Sequence, residues 1–160
     1  MRYQAFLATL LLALSLPSSG AEPAAGDITA LVTRHFPDAK VIGGTRPNFP
    51  SYVVADFNGD GEDDLAVAIE DAETVRRGQG CYALVIINSF RTAPASDVQP
   101  FRTYECFKAY SVEGMDTIEL KVRNVVKWRV KAVGPCLRLT LTYDYVARLC
   151  WLNGSYAELQ

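Results

Sequence analysis

The sequence predicts an α+β fold, mainly β, in which an antiparallel sheet is curled or sandwiched and carries one short N-terminal helix. Short apolar, β-branched segments recur from Val41 to the C-terminus. Segments rich in Gly, Pro, Asn and Asp separate them, which favours antiparallel pairing over helical crossovers. Only residues 28–36 carry apolar side chains at helical spacing.

Residues 1–21 have the features of a secretory signal peptide. Arg2 precedes an apolar run over residues 5–16, and small residues follow it. The run is too short to span a bilayer. We expect cleavage after Gly20 or Ala21, which places the mature chain in the periplasm or outside the cell without membrane insertion.

Residues 22–160 are enough for one domain with a hydrophobic core and too few for two. Removal of Arg2 from the 16 basic residues leaves 15 against 18 acidic ones, a net charge of about −3. This charge argues against a nucleic-acid binder.

The helix is predicted from Ile28 to His35, with Asp27 as its N-cap and Pro37 as its stop. Its apolar side chains are expected to cover one face of the sheet. His35 is the single histidine of the chain. Its position at a helix C-terminus is more typical of a partner for the helix dipole than of a catalyst.

The remaining elements are predicted to be strands joined by turns and loops. An exposed polar loop is expected from Glu70 to Gly80, and Asn153-Gly154 predicts a type I′ turn. The predicted strands are Val41–Ile42, Ser51–Ala55, Leu65–Glu70, Tyr82–Asn88, Phe101–Ala109, Thr117–Val122, Val125–Val133, residues 136–142, residues 146–152 and Tyr156–Leu159.

The segment from Asp56 to Leu65 has the ligand spacing of a calcium loop. Oxygen-bearing side chains fall at loop positions 1, 3, 5 and 9, position 7 offers its carbonyl, and a glycine permits the sharp turn at position 6. The predicted ligands are Asp56, Asn58, Asp60, Glu62 through its carbonyl, and Asp64. Predicted strands flank the loop, and Val67 replaces the Glu of an EF-hand at position 12.

The charge around this loop favours a cation. Eight acidic residues and no Lys or Arg lie between Asp56 and Glu73, and a divalent cation would relieve their repulsion. An ordinary acidic turn without an ion is the alternative, because Asp, Asn and Gly are also turn residues.

The motif from Asp56 to Leu65 resembles the FG-GAP (VCBS-type) repeat, D-x-[DN]-x-D-G-x-x-D-L. The resemblance implies a single FG-GAP-like domain over residues 22–160, with calcium on the five residues named above. The motif occurs once, which excludes a propeller of several blades. The segment Leu149 to Tyr156 is loosely similar to the closing hairpin of small exported bacterial proteins that carry such a loop.

A run of cations occupies alternate positions near residue 125. A strand there would show one basic and one apolar face, with the cations Lys121, Arg123, Lys127, Arg129 and Lys131. The basic face is either an ordinary solvated face, a neutralising partner of the acidic loop, or a docking surface for an anionic cell-envelope polymer or acidic protein.

All four cysteines, Cys81, Cys106, Cys136 and Cys150, lie in the exported part, where disulfides form. No C-x-x-C occurs, which leaves little material for a zinc site. A hairpin around residues 143–145 would place Cys136 and Cys150 nearly opposite each other, so we predict that pair. The pair Cys81–Cys106 follows by elimination.

The sequence contains few side chains that could act as a nucleophile or a catalytic base, and we expect no enzyme. The sequence favours an exported, calcium-binding interaction module, such as an inhibitor or immunity-type protein of the cell envelope. The alternatives are a purely structural domain stabilised by calcium and an envelope hydrolase that uses acidic residues of the loop.

Overall fold

The structure is a computed structural model that describes residues 22–44, 49–78, 81–92, 100–105, 107–114, 117–122, 125–131, 133–141 and 145–159. The predicted signal peptide, Cys106 and Arg123 lie outside these ranges.

The described residues form two helices and eleven strands. In chain order they are α1 (Ala25–His35), β1 (Lys40–Ile42), β2 (Val53–Ala55), β3 (Asp64–Glu70), α2 (Ala72–Arg76), β4 (Tyr82–Ile87), β5 (Phe101–Glu105), β6 (Phe107–Glu113), β7 (Thr117–Val122), β8 (Val125–Lys131), β9 (Cys136–Leu141), β10 (Val146–Leu152) and β11 (Ser155–Leu159).

Sheet 1 consists of β1 to β5, and every pairing in it is antiparallel. β3 is its centre. On one side β3 pairs with β4, which pairs with β5, and on the other side it pairs with β2 near its start and β1 near its end. All six residues from Asp64 to Ile69 are buried, because both faces of this strand are covered.

Sheet 2 contains four antiparallel strands in the order β11-β10-β9-β6. β7 and β8 form a separate hairpin that pairs with none of the other described strands. The turn between β10 and β11 has Asn153 at φ 52° and Gly154 at φ 86°. Both central residues therefore have positive φ, as the predicted type I′ turn requires.

The two sheets pack face to face over one core, and α1 covers the opposite face of sheet 1. The core between the sheets includes Leu84 and Ile86 of sheet 1 and Leu137 and Leu149 of sheet 2. The core under the helix joins Ile28 and Val32 to alternate residues of β3 and β4, namely Leu65, Val67, Ile69, Ala83, Val85 and Ile87. The predicted mainly β, antiparallel fold is confirmed. No described helix is long and apolar enough to cross a bilayer.

The predicted start of the first helix is wrong by three residues. α1 begins at Ala25, so Asp27 lies in its first turn, and Ala24 is the N-cap without a side-chain hydrogen bond. An acidic residue in the first turn interacts favourably with the positive end of the helix dipole. The N-cap preference therefore located the first turn of α1 but assigned the cap to Asp27 instead of Ala24.

The predicted polar loop from Glu70 to Gly80 contains α2, which is a second correction. Asp71 caps this helix by accepting the N–H groups of Glu73 and Thr74, and the Thr74 hydroxyl accepts the N–H of Asp71. This reciprocal capping box stabilises a helix too short to show apolar periodicity.

The predicted single strand from Phe101 to Ala109 is two strands. β5 pairs with β4 in sheet 1, whereas β6 pairs with β9 in sheet 2. A chain that passes between stacked sheets has to change direction. Apolar alternation carries no signal for that change.

Candidate functional site

The acidic loop, defined here as residues 56–64, joins β2 to β3 in an antiparallel hairpin. The strand-loop-strand arrangement predicted around it is therefore present. Gly59 and Gly61 have φ angles of 73° and 89°, which a residue with a side chain adopts only at a cost. These two glycines let the chain fold back so that its N–H groups point at the loop's own carboxylates.

Asp56 organises the first half of the acidic loop. Its Oδ1 accepts the N–H of Gly59 at 2.7 Å and that of Asp60 at 3.0 Å. Its Oδ2 accepts the N–H of Gly61 at 2.9 Å. Three backbone donors thus converge on a single half-buried carboxylate.

Asn58 is half-buried and Asp60 is exposed at the tip of the acidic loop. Asn58 Oδ1 accepts the N–H of Asp60 at 2.9 Å, and Asp60 Oδ1 accepts the N–H of Glu62 at 2.8 Å. Asp60 Oδ2 accepts Asn58 Nδ2 at 2.9 Å and Ser89 Oγ at 3.2 Å. Desolvation alone would raise the pKa of Asp60, but hydrogen bonds from Glu62 N–H, Asn58 and Ser89 outweigh it and lower the pKa.

Asp64 lies beneath the loop and is fully buried. Its Oδ2 accepts the N–H groups of Phe57 at 2.8 Å and Asn58 at 3.2 Å, and its Oδ1 accepts the N–H of Ser89 at 2.8 Å. Burial raises the pKa of Asp64 to about 6, against the opposing effect of these three hydrogen bonds. Asp64 therefore anchors the loop to the protein interior.

The three aspartates share one pattern of hydrogen bonding. In each carboxylate one oxygen accepts two hydrogen bonds and the other accepts one. A carboxylate oxygen has about two lone pairs, so the hydrogen bonds from described residues leave one acceptor position of each side chain open. The open oxygens are Asp56 Oδ2, Asp60 Oδ1 and Asp64 Oδ1, and Asn58 Oδ1, which accepts a single bond, adds a fourth.

The donor chemistry suits calcium, which takes several hard oxygen ligands. The described residues contain no group of three or more His, Cys, Asp or Glu side chains placed to hold a metal ion. Glu62 is exposed, and only its carbonyl was predicted as a ligand. The oxygen donors of the loop are therefore of the type that calcium prefers, while the described carboxylates are not gathered around one point.

Asp63 forms an ion pair with Arg91, with Oδ2 at 2.9 Å from Nε, while the neighbouring Asp64 is buried. The two adjacent carboxylates therefore differ in environment. His35 is the last residue of α1.

Two chain segments that the sequence did not connect with the acidic loop lie against it. Ser89 has φ 47° and supplies both its N–H and its hydroxyl to the loop. A Cβ on Gly134 would lie 2.3 Å from the Asp56 carbonyl oxygen, so this glycine is needed for close approach. The sequence indicated these two contacts only weakly. Gly134 is a glycine before Pro135, and Ser89 is a serine in a predicted loop.

The disulfide prediction is confirmed for Cys136 and Cys150, which are bonded to each other. Cys81 is also disulfide-bonded. Its predicted partner, Cys106, lies outside the described residues.

The basic residues of the predicted docking face lie on the β7–β8 hairpin, with Arg123 outside the described residues. The pairing places Glu119 opposite Arg129 and Thr117 opposite Lys131. The register shifts between Leu120 and Lys121. A shift of this kind interrupts the two-residue alternation on which the prediction of one basic face depends.

No protein-family model, curated protein or solved structure matches this chain.

Proposed function

We propose that this chain is an exported, non-enzymatic binding module whose fold is stabilised by calcium at the acidic loop. The proposed ligands are Asp56, Asn58, Asp60, the carbonyl of Glu62 and Asp64, as in the FG-GAP repeat that the loop resembles. Export is supported by the signal-peptide pattern of residues 1–21. The Cys136–Cys150 disulfide is compatible with an exported protein.

The observation that carries the proposal is the set of four side-chain oxygens that keep an open acceptor position. Backbone N–H groups hold the other oxygen of Asp56 and of Asp64, whereas Asn58 Nδ2 and Ser89 Oγ hold that of Asp60. Calcium tolerates such irregular geometry better than magnesium, which demands a near-ideal octahedron. The ion would neutralise the mutual repulsion of Asp56, Asp60 and Asp64.

The expected affinity is weak because the loop lacks the bidentate Glu of an EF-hand. Extracellular calcium modules bind with a Kd of about 10⁻⁴ to 10⁻³ M. At about 1 mM calcium and a Kd near 0.1 mM, mass action adds roughly 1.4 kcal/mol to the free energy of unfolding. This corresponds to a rise of a few degrees in Tm.

Differential scanning fluorimetry in millimolar calcium against EDTA tests the proposal. Asp60→Ala should erase the calcium-dependent rise in Tm, because it removes an open oxygen. Asp63→Ala removes the same charge, but Asp63 is ion-paired with Arg91 and is not a proposed ligand, so most of the rise should remain. An absent rise in the wild type, or an equal loss in both variants, would identify the loop as an ordinary acidic turn.

The interaction surface that we propose is the β7–β8 hairpin, which carries Lys121, Lys127, Arg129 and Lys131. Among the described strands it pairs with neither sheet. The partner would be an anionic envelope polymer or acidic protein. Charge reversal at Lys127 and Arg129 should lower the salt concentration that elutes the protein from a poly-glutamate matrix. Reversal of Arg34 and Lys40, exposed cations of α1 and β1, is the matched control, and equal elution of both variants would make the hairpin an ordinary solvated surface.

A further inference from the structure

Tyr156 connects the two sheets at the end where the acidic loop lies. Its hydroxyl donates a hydrogen bond to Asn88 Oδ1 at 2.6 Å. Tyr156 belongs to β11 of sheet 2, whereas Asn88 directly follows β4 of sheet 1. Its ring packs against Trp151, the residue opposite it on β10, with ring centroids 4.8 Å apart. This side-chain hydrogen bond links the C-terminal hairpin to sheet 1, in addition to the apolar core that the two sheets share.

The next residue in the chain, Ser89, holds two of the proposed calcium ligands. Its N–H donates to Asp64 Oδ1 at 2.8 Å, and its hydroxyl donates to Asp60 Oδ2 at 3.2 Å. The backbone of Ser89 is in the left-handed region, which costs free energy for a residue with a side chain and persists only where surrounding contacts fix it. The hydrogen bond on Asn88 is one such contact, because it fixes the adjoining residue.

The electrostatic field of the acidic loop reaches the Tyr156 hydroxyl. Burial raises the pKa of Tyr156 well above its usual range, and the negative charges of Asp64, Asp60 and Asp56 raise it further. The hydroxyl therefore remains a protonated donor. A divalent cation in the loop would offset most of the negative charge that this hydroxyl faces.

We infer that Tyr156 is a positioning residue for the acidic loop, acting through Asn88 and Ser89, so that calcium binding and docking of the β10–β11 hairpin on sheet 1 strengthen each other. The calcium part of this inference rests on the function proposed above. Thermodynamic linkage makes the effect reciprocal: the factor by which docking raises calcium affinity equals the factor by which calcium stabilises docking.

The test compares two tyrosine-to-phenylalanine variants that each lose one hydroxyl from the same core. Tyr156→Phe removes the bond to Asn88 and keeps the ring on Trp151. Tyr110→Phe removes a bond from the Tyr110 hydroxyl to the Pro50 carbonyl at 2.9 Å, which has no connection to the loop's carboxylates. By calorimetric titration with calcium, Tyr156→Phe should bind about 3- to 10-fold more weakly, the factor that one hydrogen bond supplies. Tyr110→Phe should match the wild type.

A second measurement does not need calcium. In EDTA, amide hydrogen exchange at Asn58 and Ser89 should be faster in Tyr156→Phe than in the wild type and unchanged in Tyr110→Phe. Equal calcium affinities and equal exchange in the two variants would overturn the inference while leaving the proposed function intact. If the wild type binds no calcium, the proposed function fails, and the exchange comparison alone then supports or overturns the positioning role of Tyr156.

Discussion

The Asp64 carboxylate accepts a hydrogen bond from the Ser89 N–H at 2.8 Å, which joins the first residue of β3 to the turn after β4. The same carboxylate accepts the N–H groups of Phe57 and Asn58. A buried side chain thus satisfies three backbone donors that no strand pairing reaches. This arrangement fixes the base of the acidic loop.

Replacement of Asp64 by Ala is therefore expected to be among the costly single changes in this part of the chain. Each buried donor left without a partner costs about 1–3 kcal/mol, so the free energy of unfolding should fall by roughly 3 kcal/mol or more. Urea unfolding in EDTA measures the loss without any contribution from calcium. Asp63→Ala, which removes a partly exposed ion pair with Arg91, should cost under about 1 kcal/mol, and equal losses would contradict the anchoring role of Asp64.

Stability without calcium should depend on pH through Asp64. Burial raises the folded-state pKa of Asp64 to about 6, above the value of about 3.9 expected in the unfolded chain. The folded state then binds the proton more tightly, so this contribution to stability is complete below about pH 4 and is lost as pH rises through about 6. Asp60, whose negative charge adds to the effect, remains ionised across that range because its pKa is lowered.

The measurement is urea unfolding in EDTA at several pH values between about 4 and 7.5, for the wild type and for Asp64→Asn. The Asn variant has no titrating group at this position, so its stability should decline less over that interval. Parallel curves for the two proteins would show that Asp64 does not titrate in this range.

The sequence was sufficient to predict those parts of the fold that depend on local pattern. Apolar alternation located the strands, Asn153-Gly154 specified its turn, and the spacing of Cys136 and Cys150 specified their pairing. The short capped helix α2 escaped prediction because five residues are too few to show helical periodicity. The change of the chain from sheet 1 at β5 to sheet 2 at β6 was not predicted, because both strands have the same kind of apolar pattern.

The candidate site could be predicted only as far as it lies within one continuous segment. Loop spacing identified Asp56 to Asp64, but no local pattern brings Ser89, Gly134 or Tyr156 to that loop. Those contacts depend on how the sheets stack and on which strands become neighbours. The spacing also gave Asp64 the same role as Asp60, whereas the structure buries Asp64 and exposes Asp60.

Gly134 should not tolerate a side chain. A Cβ there would lie 2.3 Å from the Asp56 carbonyl oxygen and 2.8 Å from that of Phe57, and both oxygens belong to backbone that cannot move without disturbing the acidic loop. Gly134→Ala is expected to cost about 1–3 kcal/mol, as overpacking does. Gly114→Ala is the control, because a Cβ on Gly114 meets nothing within 4 Å. Similar Tm values for the two variants would contradict the close approach.

The disulfide between Cys136 and Cys150 should contribute much of the stability of sheet 2. Cys136 is the first residue of β9 and Cys150 lies within β10, next to the paired residues Leu137 and Leu149. Their Cα atoms are 4.6 Å apart, and the sequence separation is 14 residues. Closing a loop of about this length restricts the unfolded chain and is worth about 3 kcal/mol. The double variant Cys136→Ala/Cys150→Ala should therefore unfold at lower urea concentration than the oxidised wild type. Peptide mapping of the oxidised protein supplies the control, since a link from Cys136 to any other cysteine would refute this pairing, and a loss under about 1 kcal/mol would show that the strand pairing holds without the bond.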